Sequence, residues 1–236
     1  IVTGALFMFL LKETSRNAYN NDRCDIVFAK NYYQHFKLRL PHPDTIDEVL
    51  RTLCPEQLET LKAHLVSTLF EQKLLRKFRF LGKYYTVAVD ATGTHTFDHK
   101  HCEHCLTKTS KNDVTTWFHY VLEAKLVTSS GLSISLATEF IENIPGRDFK
   151  KQDCEQKAFA RLARKIKKYF PRLPICILAD GLYPNKTVFN ICRKNNWGFI
   201  ITLKDGNLKT FHQEVELLKA TQKEKVVYRA NASIRT

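Results

Sequence analysis

Apolar positions in the first third of the chain recur with a helical period. From about residue 84 they switch to the runs and alternations that strands make. Ile1-Val-Thr-Gly-Ala-Leu-Phe-Met-Phe-Leu-Leu11 is apolar throughout and reads as a core helix cut from a longer chain. Pro43-Asp44-Thr45-Ile46-Asp47-Glu48-Val49-Leu50 predicts a helix start, with Asp44 or Thr45 as its cap and acids in the first turn. Cys54-Pro55-Glu56-Gln57-Leu58 opens another, and Leu58, Leu61, Leu65 and Leu69 form its apolar stripe. The basic and aromatic tract from Lys73 to Phe80 leads out of this helical region.

Tyr84 to Val89 is a β-branched and aromatic run, which predicts a strand that stops at Asp90. Phe118 to Val127 and Leu132 to Phe140 predict two more strands, joined through the turn signal Ser129-Ser130-Gly131. Gln152 to Tyr169 is an amphipathic helix whose polar face carries Arg161, Arg164, Lys165, Lys167 and Lys168, and Pro171 and Pro174 close it. Ile175 to Ala179 is wholly apolar, as a buried central strand would be, and it ends at Asp180-Gly181. A helix from Asn185 to Asn195 and another buried strand from Phe199 to Leu203 follow. Three strands in a meander, then helix, strand, helix and strand, predict an α/β mixed sheet with flanking helices. That order matches the ribonuclease-H-like fold. The expected organisation is an N-terminal helical region over 1–80, in a position to contact DNA, and the α/β domain over 81–236, its core incomplete at the C-terminus.

Composition narrows the function. The 236 residues are 44% hydrophobic and 11% aromatic with only 8 Gly and 7 Pro, enough to bury a core and too apolar for a disordered chain. A net charge of +13 points to an acidic partner, nucleic acid before an anionic membrane. Seven scattered cysteines do not make a disulfide ladder and fit a reducing cytoplasm. Of these, Cys24, Cys54, Cys154, Cys176 and Cys192 read as small core residues. The apolar start falls short of the roughly 20 residues a membrane span needs, and its flanks are not those of a signal peptide. Without a Gly-rich phosphate loop or a nucleophilic Ser or Cys motif, nucleotide hydrolysis and acyl transfer have no support.

Asp90 and Asp180 each close a predicted strand, at the strand end where sites collect in open α/β sheets. Two carboxylates there call for a hard divalent cation, and two such ions can flank a phosphodiester. The competing reading is that each aspartate merely opens a turn. Val87-Ala-Val-Asp90-Ala-Thr-Gly93 and Ile177-Leu-Ala-Asp180-Gly-Leu-Tyr183 resemble the two aspartate motifs of the DDE transposases of bacterial insertion sequences, of the insertion-sequence-four type. Leu122-Glu-Ala-Lys-Leu126, Leu136-Ala-Thr-Glu-Phe140, Lys151-Gln-Asp-Cys-Glu155 and Phe199-Ile-Ile-Thr-Leu-Lys-Asp-Gly206 resemble the same group, over about residues 85 to 210.

The resemblance implies two aspartates and one glutamate holding Mg²⁺ or Mn²⁺, hydrolysis at transposon ends, and attack of the freed 3′ hydroxyl on target DNA. It carries Asp90 and Asp180 over as metal ligands and implies a homodimer on paired DNA ends in a bacterial cytoplasm, at the nucleoid. The glutamate of the family lies on a helix after the last core strand, near a Tyr-Arg-Glu-Lys signature. Here Tyr228-Arg229 has no Glu after it, and nothing around Glu214 and Glu216 matches, so the third acid reads as missing. A catalytically dead DNA-binding remnant and a metal-dependent nuclease of the same fold are the alternatives.

Two further groups of residues carry chemistry. His95-Thr-Phe-Asp-His99-Lys-His101-Cys102-Glu-His104-Cys105 has zinc-ligand types, and Cys102 and Cys105 with two of the four histidines would complete a tetrahedron. The alternatives are a loop facing DNA phosphates and a neutral surface loop. Arg76, Lys77, Arg161, Arg164, Lys165, Lys168, Arg193 and Lys194 are the candidate phosphate contacts. Trp197, Tyr183 and Tyr84 read as core aromatics rather than as base-stacking platforms.

Overall fold

The computed structural model describes residues 1–144, 146, 151–204 and 209–221. The chain packs as two units, Ile1–Leu61 and Lys62–Thr236. In the first, α1 (Val2–Leu10), α2 (Arg16–Cys24), α3 (Ile26–Phe36) and α4 (Pro43–Thr52) lead to α5 (Pro55–Glu71), which continues into the second. Ser15 caps α2 by accepting from the Ala18 N–H at 3.1 Å, and Asp25 caps α3 by accepting from the Phe28 N–H at 2.7 Å. The cap of α4 is His42, neither Asp44 nor Thr45. Pro43 has no N–H and a preset φ, so it takes the first helical position and the cap falls on the residue before it. Ala5, Tyr19 and Ile46 form the small core of this unit, with Met8 and Leu40 packed on it. A Cβ on Gly4 would lie 2.5 Å from the Pro41 ring, so only glycine allows α1 this approach. The apolar start is a core helix in part only: α1 buries Gly4 and Ala5 and leaves Leu6, Phe9 and Leu10 exposed.

In the second unit, α5 buries Ala63 and Val66, packs Leu69 on the core and leaves Leu65 exposed, so the predicted leucine stripe faces the core only in part. Packing decides it: Phe70 meets the rings of Tyr85 and Phe170 at 5.0 and 5.9 Å, which sets the rotation of the helix. After a 3-10 turn at Arg76–Phe78 come β1 (Tyr85–Phe97), β2 (Leu106–Thr109), β3 (Thr115–Val127), β4 (Ser133–Ile141), α6 (Glu155–Tyr169), β5 (Ile175–Ala179), α7 (Lys186–Lys194), β6 (Gly198–Ile201) and α8 (Lys209–Thr221). Gly131, at φ +82°, makes the turn between β3 and β4.

β3 is antiparallel to β1 on one edge and to β4 and β2 on the other. β5 pairs parallel with β1, and β6 parallel with β5. The order β4–β3–β1–β5–β6, three antiparallel strands followed by two parallel ones, is the ribonuclease-H-like arrangement that the sequence predicts. Val87, Val89, Leu122, Ala124, Leu126, Ile175 and Ile177 of the sheet pack with Phe159, Leu162 and Ile166 of α6 in one core. β6 departs from expectation, with Phe199 and Ile200 exposed. It pairs with β5 on one side only among the described residues, so it is an edge rather than an interior strand. No helix among the described residues is long and apolar enough to cross a membrane.

Candidate active site

β1 does not stop at Asp90. Its ladder with β3 runs on through Asp90↔Glu123 to Phe97↔Trp117, with a bulge between Gly93 and His95. The parallel pairing with β5 ends at Ala88↔Leu178, and Asp90 and Asp180 each follow two residues later. Two residues is one period of a strand, so the register carried on past that pair sets Asp90, part-way along β1, level with Asp180, just past the end of β5. Asp90 is exposed, and its Oδ1 accepts from the Ala91 N–H at 2.9 Å. Glu123 faces Asp90 across the ladder and accepts from the Thr138 hydroxyl at 2.6 Å.

Asp180 takes the turn role and also carries an ion pair. Its Oδ1 accepts from the Leu182 N–H at 2.9 Å, while its Oδ2 accepts from Lys204 Nζ at 2.8 Å. The Lys204 hydrogen bond holds the Asp180 carboxyl below its ordinary pKa, and the Leu182 N–H adds to this. Gly181 makes room for that lysine, since a Cβ there would sit 2.3 Å from Lys204 Cγ.

A third carboxylate joins them that sequence reasoning missed. Glu155 opens α6, half-buried, and its Oε2 accepts from the Tyr183 hydroxyl at 3.0 Å. Burial raises its pKa, the Tyr183 hydrogen bond opposes this, and the charges of Asp90 and Asp180 raise it further. Tyr183 is fully buried against Phe159, and burial with the same three carboxylates pushes its phenol strongly up, so it stays a donor. The signal was the acid in the first turn of the helix that follows the meander, at the end of Lys151-Gln-Asp-Cys-Glu155. Glu214 and Glu216 lie on α8, exposed, while Asp205, Gly206 and Tyr228-Arg229 fall outside the described residues.

The basic candidates divide into two kinds. Arg161 Nε donates to Glu139 Oε1 at 2.6 Å, and its two terminal nitrogens reach Asp153 at 3.2 and 2.5 Å. Lys165 pairs with Glu139 Oε2 at 2.7 Å and donates to the Thr138 carbonyl at 2.9 Å. Both side chains of α6 are therefore spent on β4 and the loop after it, a use that charge patterning does not reveal. Arg76, Lys77, Arg164, Lys168, Arg193 and Lys194 are exposed. Tyr183 and Trp197 are buried, as core aromatics. The predicted core cysteines also split: Cys176 and Cys192 are buried, whereas Cys24, Cys54 and Cys154 are exposed.

Around the Cys-x-x-Cys, the structure chooses a histidine outside the predicted loop. Cys102, Cys105 and His119 form a cluster, with Cys102 Sγ and Cys105 Sγ each 3.4 Å from His119 Nε2. None of His95, His99, His101 or His104 belongs to it. His99 is taken by Asp98 at 2.5 Å and His104 Nδ1 lies 3.1 Å from the Asn143 carbonyl, while His101 stacks on Phe97 with centroids 4.3 Å apart.

No protein-family model and no curated protein sequence matches this chain. Among solved structures it is similar to the catalytic domain of the Mos1 mariner transposase, at 13% identity and a TM-score of 0.28, over 77% of this chain and 78% of that one. It is also similar to the Mos1 mariner paired-end complex with Mn, at 11% identity and a TM-score of 0.27, over 82% of this chain and 67% of that one.

Proposed function

We propose that this chain carries the catalytic core of a DDE-type transposase of the insertion-sequence-four kind, acting on double-stranded DNA by metal-dependent phosphodiester cleavage and strand transfer. The observation that carries the reading is that Asp90 and Asp180 each lie two residues past the last pair of the parallel β1–β5 ladder, within motifs that resemble that family. The donor set suits Mg²⁺ or Mn²⁺, because Asp90, Asp180 and the nearby Glu155 offer only hard carboxylate oxygens. Asp90 and Asp180 would hold the ion, which supplies charge neutralisation at the phosphodiester and polarises the attacking hydroxyl. Lys204 balances Asp180 and must yield as a cation or a phosphate arrives. Tyr183 fixes the carboxyl of Glu155, which stands beside the aspartates as a third acid. Arg76, Lys77, Arg164, Lys168, Arg193 and Lys194 supply phosphate contacts, and a homodimer on paired ends is the assembly the resemblance implies.

The test is Asp180→Asn in the protein, assayed with Mg²⁺ or Mn²⁺ for joining a donor DNA end to a second duplex. Loss of joined product supports the reading, and unchanged strand transfer overturns it. A nuclease of the same fold would cut and never join.

A further inference from the structure

We propose that Cys102, Cys105 and His119 bind a zinc ion that clips the loop between β1 and β2 onto β3, a site separate from the carboxylates. The two sulfurs are 3.7 Å apart, and each is 3.4 Å from His119 Nε2. A tetrahedral zinc with Zn–S of about 2.3 Å and Zn–N of about 2.0–2.1 Å demands ligand edges of about 3.8 and about 3.5 Å. All three edges fall within about 0.2 Å of those values. The same 3.7 Å is far from a disulfide, whose sulfurs lie about 2.05 Å apart.

The backbone sets this arrangement. β2 pairs Leu106 with Phe118, so the antiparallel ladder puts Cys105, one residue before, beside His119, one residue after. The turn that brings Cys102 back closes with the Cys105 N–H donating to the Cys102 carbonyl at 3.4 Å. Buried Asn143 fixes the loop from the other side, donating from Nδ2 to the Cys105 carbonyl at 2.8 Å and from its N–H to the His104 carbonyl at 3.1 Å.

Two thiols and an imidazole with no carboxylate select zinc over the hard cations proposed at Asp90. Water fills the fourth position. Binding turns two thiols into thiolates and releases their two protons to solvent, with no oxidant required. The ion ties the Cys102–Cys105 turn to β3, beside the short β2–β3 ladder and the Asn143 hydrogen bonds, and it leaves the phosphoryl-transfer site untouched.

The experiment is metal analysis of the 236-residue chain purified under reducing conditions. About one zinc per chain is expected, lost in Cys102→Ser/Cys105→Ser and bound at least about 100-fold more weakly in His119→Ala. Because those variants can fail to fold, Co²⁺ titration of the metal-stripped wild-type chain gives an independent reading. Thiolate charge-transfer absorption and tetrahedral ligand-field bands should saturate near one equivalent and vanish on adding zinc. Absence of those bands, zinc content unchanged in a folded double variant, or a Cys102–Cys105 disulfide persisting in reductant would each overturn the site.

Discussion

Arg161→Leu should weaken the fold and spare DNA binding. The guanidinium joins β4 to the start of α6 through Glu139, Asp153 and the Phe140 carbonyl, the last at 3.0 Å. The Glu139 and Asp153 side chains are each only 11% exposed, whereas that of Arg161 is 33% exposed. Removing one partner of a buried ion pair costs about 3–5 kcal/mol because the other charge stays buried. Two features reduce that figure here. Arg161 is partly wet, and Lys165 remains 2.7 Å from Glu139. A loss of about 2–3 kcal/mol is the resulting expectation. Trp117 and Trp197 both lie in the second unit, so their fluorescence follows its urea unfolding. With a slope of about 2–3 kcal/mol per molar urea, the midpoint should fall by about 1 M. The slope of log affinity for duplex DNA against log salt should not change. Arg164→Ala and Lys168→Ala should do the reverse, each reducing that slope by about 0.9 with no shift in midpoint. A midpoint that moves by less than about 0.3 M, together with a shallower salt slope for Arg161→Leu, would refute the reasoning and return Arg161 to the DNA interface.

Two further outcomes follow from the site and the core. Glu155 binds its proton more tightly folded than unfolded, so stability without metal should fall as pH rises from the ordinary 4.5 through its raised pKa. Glu155→Gln should flatten that part of a melting-temperature profile measured in chelator, and parallel profiles for the two proteins would count against the three-carboxylate cluster. Thiol labelling of the native chain should modify exposed Cys24, Cys54 and Cys154 quickly, but not Cys176 or Cys192 until the chain unfolds. Burial pushes the Cys192 thiol up to about 11, so it is both inaccessible and protonated, and rapid native labelling at Cys192 would show the core to be open.

Local pattern was enough for the order of the α/β elements other than β2, and it singled out Asp90 and Asp180 as candidates. Strand runs such as Ile175 to Ala179 and the amphipathic Gln152 to Tyr169 declare themselves through side-chain periodicity, which the chain carries without its fold. Strand order then follows from the rule that a meander pairs antiparallel and a helix crossover returns a parallel strand. What the tertiary structure alone decided is which side chains meet. Leu65 lies at an apolar position yet faces solvent, because the contacts of Phe70 rotate α5. β1 continues past Asp90 because β3 pairs with Thr92 to Phe97, a stretch whose own residues carry no strong strand pattern. Arg161 and Lys165 look like one basic face until β4 supplies Glu139. Glu155 reaches the aspartates, and His119 reaches Cys102 and Cys105, only through pairings between residues far apart in sequence. Spacing along the chain records one dimension, whereas a metal or a proton responds to distances that the sheet sets in three.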